Sequence, residues 1–139
     1  MDDQQGTAML KNSTIRPIAG TFACAICSML VSSPVFAADF PIGTYKAKEA
    51  KDLSLEFDVK GQFHVNNGGT LGVSGTYKVI QGRVQLTDLK GPWACTKPKQ
   101  QKGTYIWTWN GTALTFLKDS DLCDERSGTL VPATWELQK

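Results

Sequence analysis

Few residue types in this chain could carry chemistry, and their spacing narrows the choice. Among 139 residues there are four cysteines and one histidine. His64 lies between Phe63 and Val65, on the polar side of an alternating run, where a solvated imidazole is expected. No cluster of His and Cys has zinc-ligand spacing, and no Gly-x-Ser-x-Gly elbow presents a serine nucleophile. The acidic run Asp119, Asp121, Asp124 and Glu125 lacks the glycine and spacing of an EF-hand loop. Nor does anything place a second carboxylate across a cleft, as glycoside hydrolysis would require. The chain is therefore expected to be non-catalytic, with no metal and no cofactor.

Cysteine chemistry depends on where the chain goes. No charged residue occurs between Arg16 and Asp39; the apolar stretch Ile18 to Val31 is followed by Ser32, Ser33, Pro34 and then Val35-Phe36-Ala37-Ala38. A basic flank, an apolar run and small residues at −3 and −1 form the pattern of a secretory signal peptide. Residues 1–37 are thus expected to be cleaved after Ala37, with Met9 a better start for a signal than the acidic Met1-Asp2-Asp3. An uncleaved membrane anchor competes with this reading, because about 20 apolar residues can span a bilayer. Ser32, Ser33 and Pro34 interrupt the run and favour cleavage, leaving no membrane span. Neither Cys24 nor Cys27 follows a lipobox. The mature chain, 38–139, would keep only Cys95 and Cys123, which in an exported domain make one disulfide. Closing that loop contributes about 3–4 kcal/mol in the chain-entropy model.

What remains are candidates for binding. Tyr45, Tyr77, Tyr105, Trp107, Trp109 and Trp135 all fall on apolar faces of alternating runs. They either fill a core or line a cavity whose hydroxyl and indole N–H groups orient a ligand. A second candidate is the stretch 90–102, which carries Lys90, Lys97, Lys99 and Lys102 with no acid, and Trp93 beside Cys95. Its disulfide partner lies in the acidic stretch that ends with Glu125 and Arg126. The two stretches either compensate each other's charge or present Trp93, Lys97, Lys99 and Arg126 to a protein partner. A formal net charge of +2 and a pI near 8.3 argue against nucleic acid as a partner.

Period-two alternation dominates the elements that must position these residues. It runs through Tyr45–Ala47, Leu53–Val59, Phe63–Val65, Leu71–Val79, Val84–Leu86, Tyr105–Trp109, Leu114–Phe116 and Val131–Leu137. The fold class is therefore all-β: an eight-stranded antiparallel up-and-down β-barrel with one disulfide. Lys60-Gly61, Gln81-Gly82 and Asn110-Gly111 read as two-residue hairpin turns at one end. The longer connections 48–52, 66–70, 90–103 and 119–128 would share the other end, which brings Cys95 and Cys123 within reach of each other. Gly72 and Gly75 in the fourth strand would leave room inside or mark a bend. A weak internal likeness, Gly75-Thr76-Tyr77 to Asp88 against Gly103-Thr104-Tyr105 to Asp119, is what similar hairpins produce.

Gly43-Thr44-Tyr45 stands where calycin barrels often carry Gly-x-Trp. The series Gly103-Thr104-Tyr105-Ile106-Trp107, Leu114-Thr115-Phe116, Asp121-Leu122-Cys123, Arg126 and Trp135 also resembles small exported bacterial lipocalin-like domains. The resemblance covers 43–137. It implies a lipocalin-like β-barrel domain in the bacterial envelope, periplasmic or secreted, able to hold one small hydrophobic ligand. The expected function is a non-catalytic binding barrel for a small apolar or aromatic molecule entering at the long-loop end. The alternative is a filled-core barrel that binds a protein partner, of inhibitor or immunity type, through loops 90–103 and 119–128.

Overall fold

The computed structural model describes residues 39–139; the signal expected over 1–37 lies outside the described residues. Eight strands follow in order: β1 (Gly43–Ala47), β2 (Leu53–Phe57), β3 (Gln62–Asn67), β4 (Thr70–Ile80), β5 (Arg83–Lys90), β6 (Lys102–Trp109), β7 (Ala113–Asp121) and β8 (Trp135–Leu137). A helix, α1 (Asp124–Leu130), intervenes before β8. Each strand pairs antiparallel with its sequence neighbour, and β8 returns to β1 through Tyr45↔Leu137 and Ala47↔Trp135, closing the barrel. This is the up-and-down barrel that the alternation predicts.

Pleat parity places the core. Tyr45, Leu55, Phe57, Phe63, Val84, Leu86, Tyr105, Leu114 and Trp135 are essentially without solvent contact, and their strand neighbours point outward. The interior is occupied by these side chains. The space enclosed beneath α1, between Phe63, Val65, Val73, Trp93 and Leu130, measures about 20 Å³, which suits a single water and nothing larger.

The two ends of the barrel differ as expected, with changes in detail. Gln81 and Gly82 both take positive φ, 50° and 73°, so this turn is the two-residue hairpin that the sequence indicates. The Lys60-Gly61 turn is instead the four-residue loop 58–61, because the Asp58 carboxylate accepts from Lys60 and Gln62 N–H. Likewise Asn110 accepts from Thr112 and Ala113 N–H, stretching its turn to 110–112. At the other end, 66–70 proves shorter than expected. Strands β3 and β4 meet at Gly68 and Gly69, both at positive φ.

The expected loop 119–128 is the end of β7 followed by α1, and Val131 and Ala133 lie outside the last strand, which shrinks to three residues. The helix begins after Cys123, whose sulfur accepts from Arg126 N–H, and Asp124 and Glu125 in its first turn suit the positive end of its dipole. Its buried residues are Arg126 and Leu130. An arginine on the inward stripe erases the apolar period by which a short helix would be recognised.

Candidate functional site at the long-loop mouth

Two connections meet at this mouth, the 91–101 loop and α1, and a disulfide between Cys95 and Cys123 ties them with Cα atoms 6.1 Å apart. Below the disulfide lies a buried polar cluster. Arg126 donates from Nε to Asp121 Oδ2 and from Nη2 to Asp121 Oδ1, each at 2.7 Å. Its Nη1 forms an ion pair with Asp88 Oδ1 at 2.8 Å. The remaining guanidinium protons reach the carbonyl oxygens of Gln100, at 2.8 Å, and Gln101, at 3.1 Å. Tyr105 donates its hydroxyl to Asp121, Cys95 N–H donates to Asp88 at 2.8 Å, and Cys123 N–H donates to Asp121 at 2.7 Å. One cation thus joins β5, β7, α1 and the 91–101 loop.

The electrostatics follow from that geometry. Burial opposes charge on Asp121, but the guanidinium, the Tyr105 hydroxyl and the Cys123 N–H outweigh it and hold its carboxyl below the usual aspartate value. Burial also opposes charge on Arg126; Asp121 and Asp88 reverse this and push its pKa upward. The Tyr105 hydroxyl is raised, first by burial and then by its bond to Asp121. These groups are committed to one another and serve as a brace. Asp88, Cys95 and Cys123 stand close enough to suggest a metal site, but both sulfurs are spent in the disulfide.

Above the brace, Trp93 forms the visible feature of the mouth. Its ring lies on the bare backbone of Gly72, where any Cβ would overlap it, and the Trp93 backbone N–H donates to Gly72 O at 2.9 Å. Gly91 crosses the same point with φ 116°, a conformation suited to glycine alone. Gly72 therefore leaves room, as expected of it, but for Trp93. Gly75, at the β4–β5 register shift, admits the Thr87 carbonyl. Trp93 keeps 37% of its surface exposed and forms one wall of an open groove of about 370 Å³. Ala47, Leu53, Pro132 and Ala133 supply the apolar lining, with Glu49 at the rim. The Glu49 carboxylate accepts from Thr134 N–H at 3.0 Å, which lowers its pKa and keeps it charged. Lys97 and Lys99 are exposed on the same loop as Trp93. Arg126, expected beside them, is only 6% exposed and belongs to the brace below.

The six aromatics expected as a ligand cage do not converge on the mouth. Tyr45, Tyr105 and Trp135 are fully buried, with their polar tips bonded to Pro41 O, Asp121 and Leu130 O. Tyr77, Trp107 and Trp109 lie towards the tight-turn end, and Tyr77 donates to Asp58 O. There, Phe40 sits against Phe57, Tyr77 and Trp107 at ring-centroid distances of 4.9, 5.4 and 5.3 Å. The Trp107 indole N–H is buried with no hydrogen-bond partner among the described residues.

Asp88 and Asp121 escaped the sequence reading as members of a site. Asp88 had a signal, since it continues the inward parity of Val84 and Leu86 and so puts a carboxylate in the core. Asp121 had none. A register shift in the β6–β7 pairing turns it inward, against the parity set by Leu114 and Phe116. Among the described residues, no helix is long and apolar enough to cross a membrane. Compared with known proteins, the chain matches no family model, no curated protein and no solved structure. What it shares with the calycin group is the closed eight-stranded antiparallel barrel, with which its architecture is compatible.

Proposed function

We propose that this protein is an exported, non-catalytic binding barrel of the lipocalin-like kind, whose site is the groove at the long-loop mouth rather than the barrel interior. One observation carries the reading: an apolar groove of about 370 Å³ opens beside Trp93 while the interior is filled by its own side chains. That volume is in the range of small-molecule sites, and a mainly apolar lining with a few polar groups, here Glu49, Asn67 and Thr129, is their usual make-up. A small apolar or aromatic molecule would lie against the Trp93 ring. The disulfide and the signal-like N-terminal segment support a periplasmic or secreted location in a bacterial envelope.

Native mass spectrometry of the oxidised, exported protein tests this. A small adduct that departs on denaturation is expected, and Trp93→Ala should weaken its binding at least about tenfold, the effect of losing one aromatic contact. A bare mass after saturation with a panel of small aromatic compounds would count against the reading. A second reading, capture of a protein partner, is favoured by the exposure of Trp93, Lys97 and Lys99 on one disulfide-tied loop. It predicts that Trp93→Ala and a Lys97→Glu/Lys99→Glu pair both abolish partner binding, while only the former affects a small ligand.

A further inference from the structure

We propose a second binding site at the opposite, tight-turn end, where Phe40 is an internal stand-in for a neutral, single-ring aromatic ligand that bears a hydrogen-bond acceptor. The Phe40 ring meets Phe57 and Trp107 edge to face and Tyr77 at a tilt, the arrangements in which aromatic rings attract. The segment that delivers it is weakly held. Residues 39–42 make no backbone hydrogen bond to another described residue, and their one polar anchor is the 2.7 Å bond from the Tyr45 hydroxyl to Pro41 O. A ring of similar size could exchange with Phe40 without disturbing a strand.

Occupation by Phe40 also leaves a need unmet. The indole N–H of Trp107, whose ring packs against Phe40, is buried without an acceptor among the described residues, and a phenylalanine ring offers at most its weak π face. A ligand with a carbonyl or ring nitrogen could satisfy that donor, so it would gain a hydrogen bond that the resident side chain cannot make. The three walls against Phe40 are uncharged rings, and the charge nearest them, the Asp58 carboxylate felt by the Tyr77 hydroxyl, is negative, hence the ligand is neutral rather than anionic. This site lies at the far end of the barrel from the Trp93 groove, and the two can be tested apart.

The test is a titration of the oxidised protein with acetophenone, and with toluene as the acceptor-free control, followed by the indole N–H resonances of the four tryptophans. Phe40→Ala should bind acetophenone at least tenfold more tightly than the wild type, with the Trp107 indole proton moving downfield. Toluene should bind the variant without that downfield shift. Tyr45→Phe, which removes only the anchor to Pro41, should tighten acetophenone binding by a smaller factor. Unchanged affinity in both variants overturns the proposal. So does a response confined to Trp93, which would leave the mouth groove as the site. If Phe40→Ala does not fold, Tyr45→Phe decides: wild-type affinity in that folded variant overturns the proposal.

Discussion

Arg126 grips Asp121 with two bonds of 2.7 Å, one to each carboxylate oxygen, and the pair is shut away from solvent at the start of α1. The residues are five apart, and Cys123 lies between them, so the brace and the disulfide fix the same corner of the chain. A bidentate pair of this kind gives direction as well as attraction.

Removing one partner leaves the other as an uncompensated buried charge. Arg126→Ala is expected to cost about 3–5 kcal/mol of stability, measured by urea unfolding. Arg126→Lys should recover only a minor part, because an ammonium cannot make the parallel pair of bonds or reach Asp88 and the Gln100 carbonyl together. A loss below about 1 kcal/mol for Arg126→Ala would place the pair among ordinary surface contacts.

Asp121 also sets an acid limit. Its carboxyl is held below the usual value in the folded chain, so its contribution is present above the unfolded aspartate pKa and is lost as pH falls through the folded one. The urea midpoint should therefore hold from neutrality to about pH 5 and then decline, with Asp121→Asn less stable at neutrality and flatter on the acid side. Parallel declines in both proteins would remove Asp121 from the explanation.

All three tyrosines resist ionisation. Burial raises Tyr45 to about 12, with a further push from Tyr77; burial also raises Tyr77 and Tyr105. The neutral form is favoured in the folded state, so the associated stability is complete below the unfolded pKa of about 10 and drains away as pH climbs towards 12. Absorbance at the phenolate band should stay flat through pH 10 and rise together with loss of the near-ultraviolet circular dichroism signal. A rise in the native protein at the ordinary pKa would contradict the burial.

Gly72 positions Trp93. Gly72→Ala would place a methyl group inside the indole and lift it from β4, so Trp93 fluorescence should shift to the red and any groove ligand should bind more weakly. The brace lies elsewhere, and the cost in stability should stay within about 1–3 kcal/mol. An unchanged emission spectrum would mean that the ring does not rest there.

Much of this fold was legible because its strands have one wet face and one dry face. Val84 and Leu86, or Tyr105 against Thr104, announce their sides by parity alone. What failed was local. The Asp58 and Asn110 side chains bind backbone N–H groups and lengthen turns that their Gly neighbours seemed to shorten. The helix stayed hidden because Arg126 faces inward, where a period-seeking eye wants an apolar residue. The candidate site was half visible. Trp93 stands out in the sequence beside Cys95, but the groove also needs Ala47 and Leu53 at the ends of β1 and β2 and Ala133 just before β8, and only the closure of β8 on β1 brings Ala133 to them.

The brevity of β8 has a kinetic meaning. It seals the barrel through three residues facing β1 and two pairings with β7, joining parts of the chain that are almost as far apart in sequence as the barrel allows. Such contacts reward the chain only after a large loss of loop entropy, so this seam is formed late in folding. It is also the natural place for the native barrel to breathe. Amides of Lys46 and Glu136 should exchange with solvent water well before those of the β4–β5 ladder, which pairs Ser74–Ile80 with Arg83–Lys90.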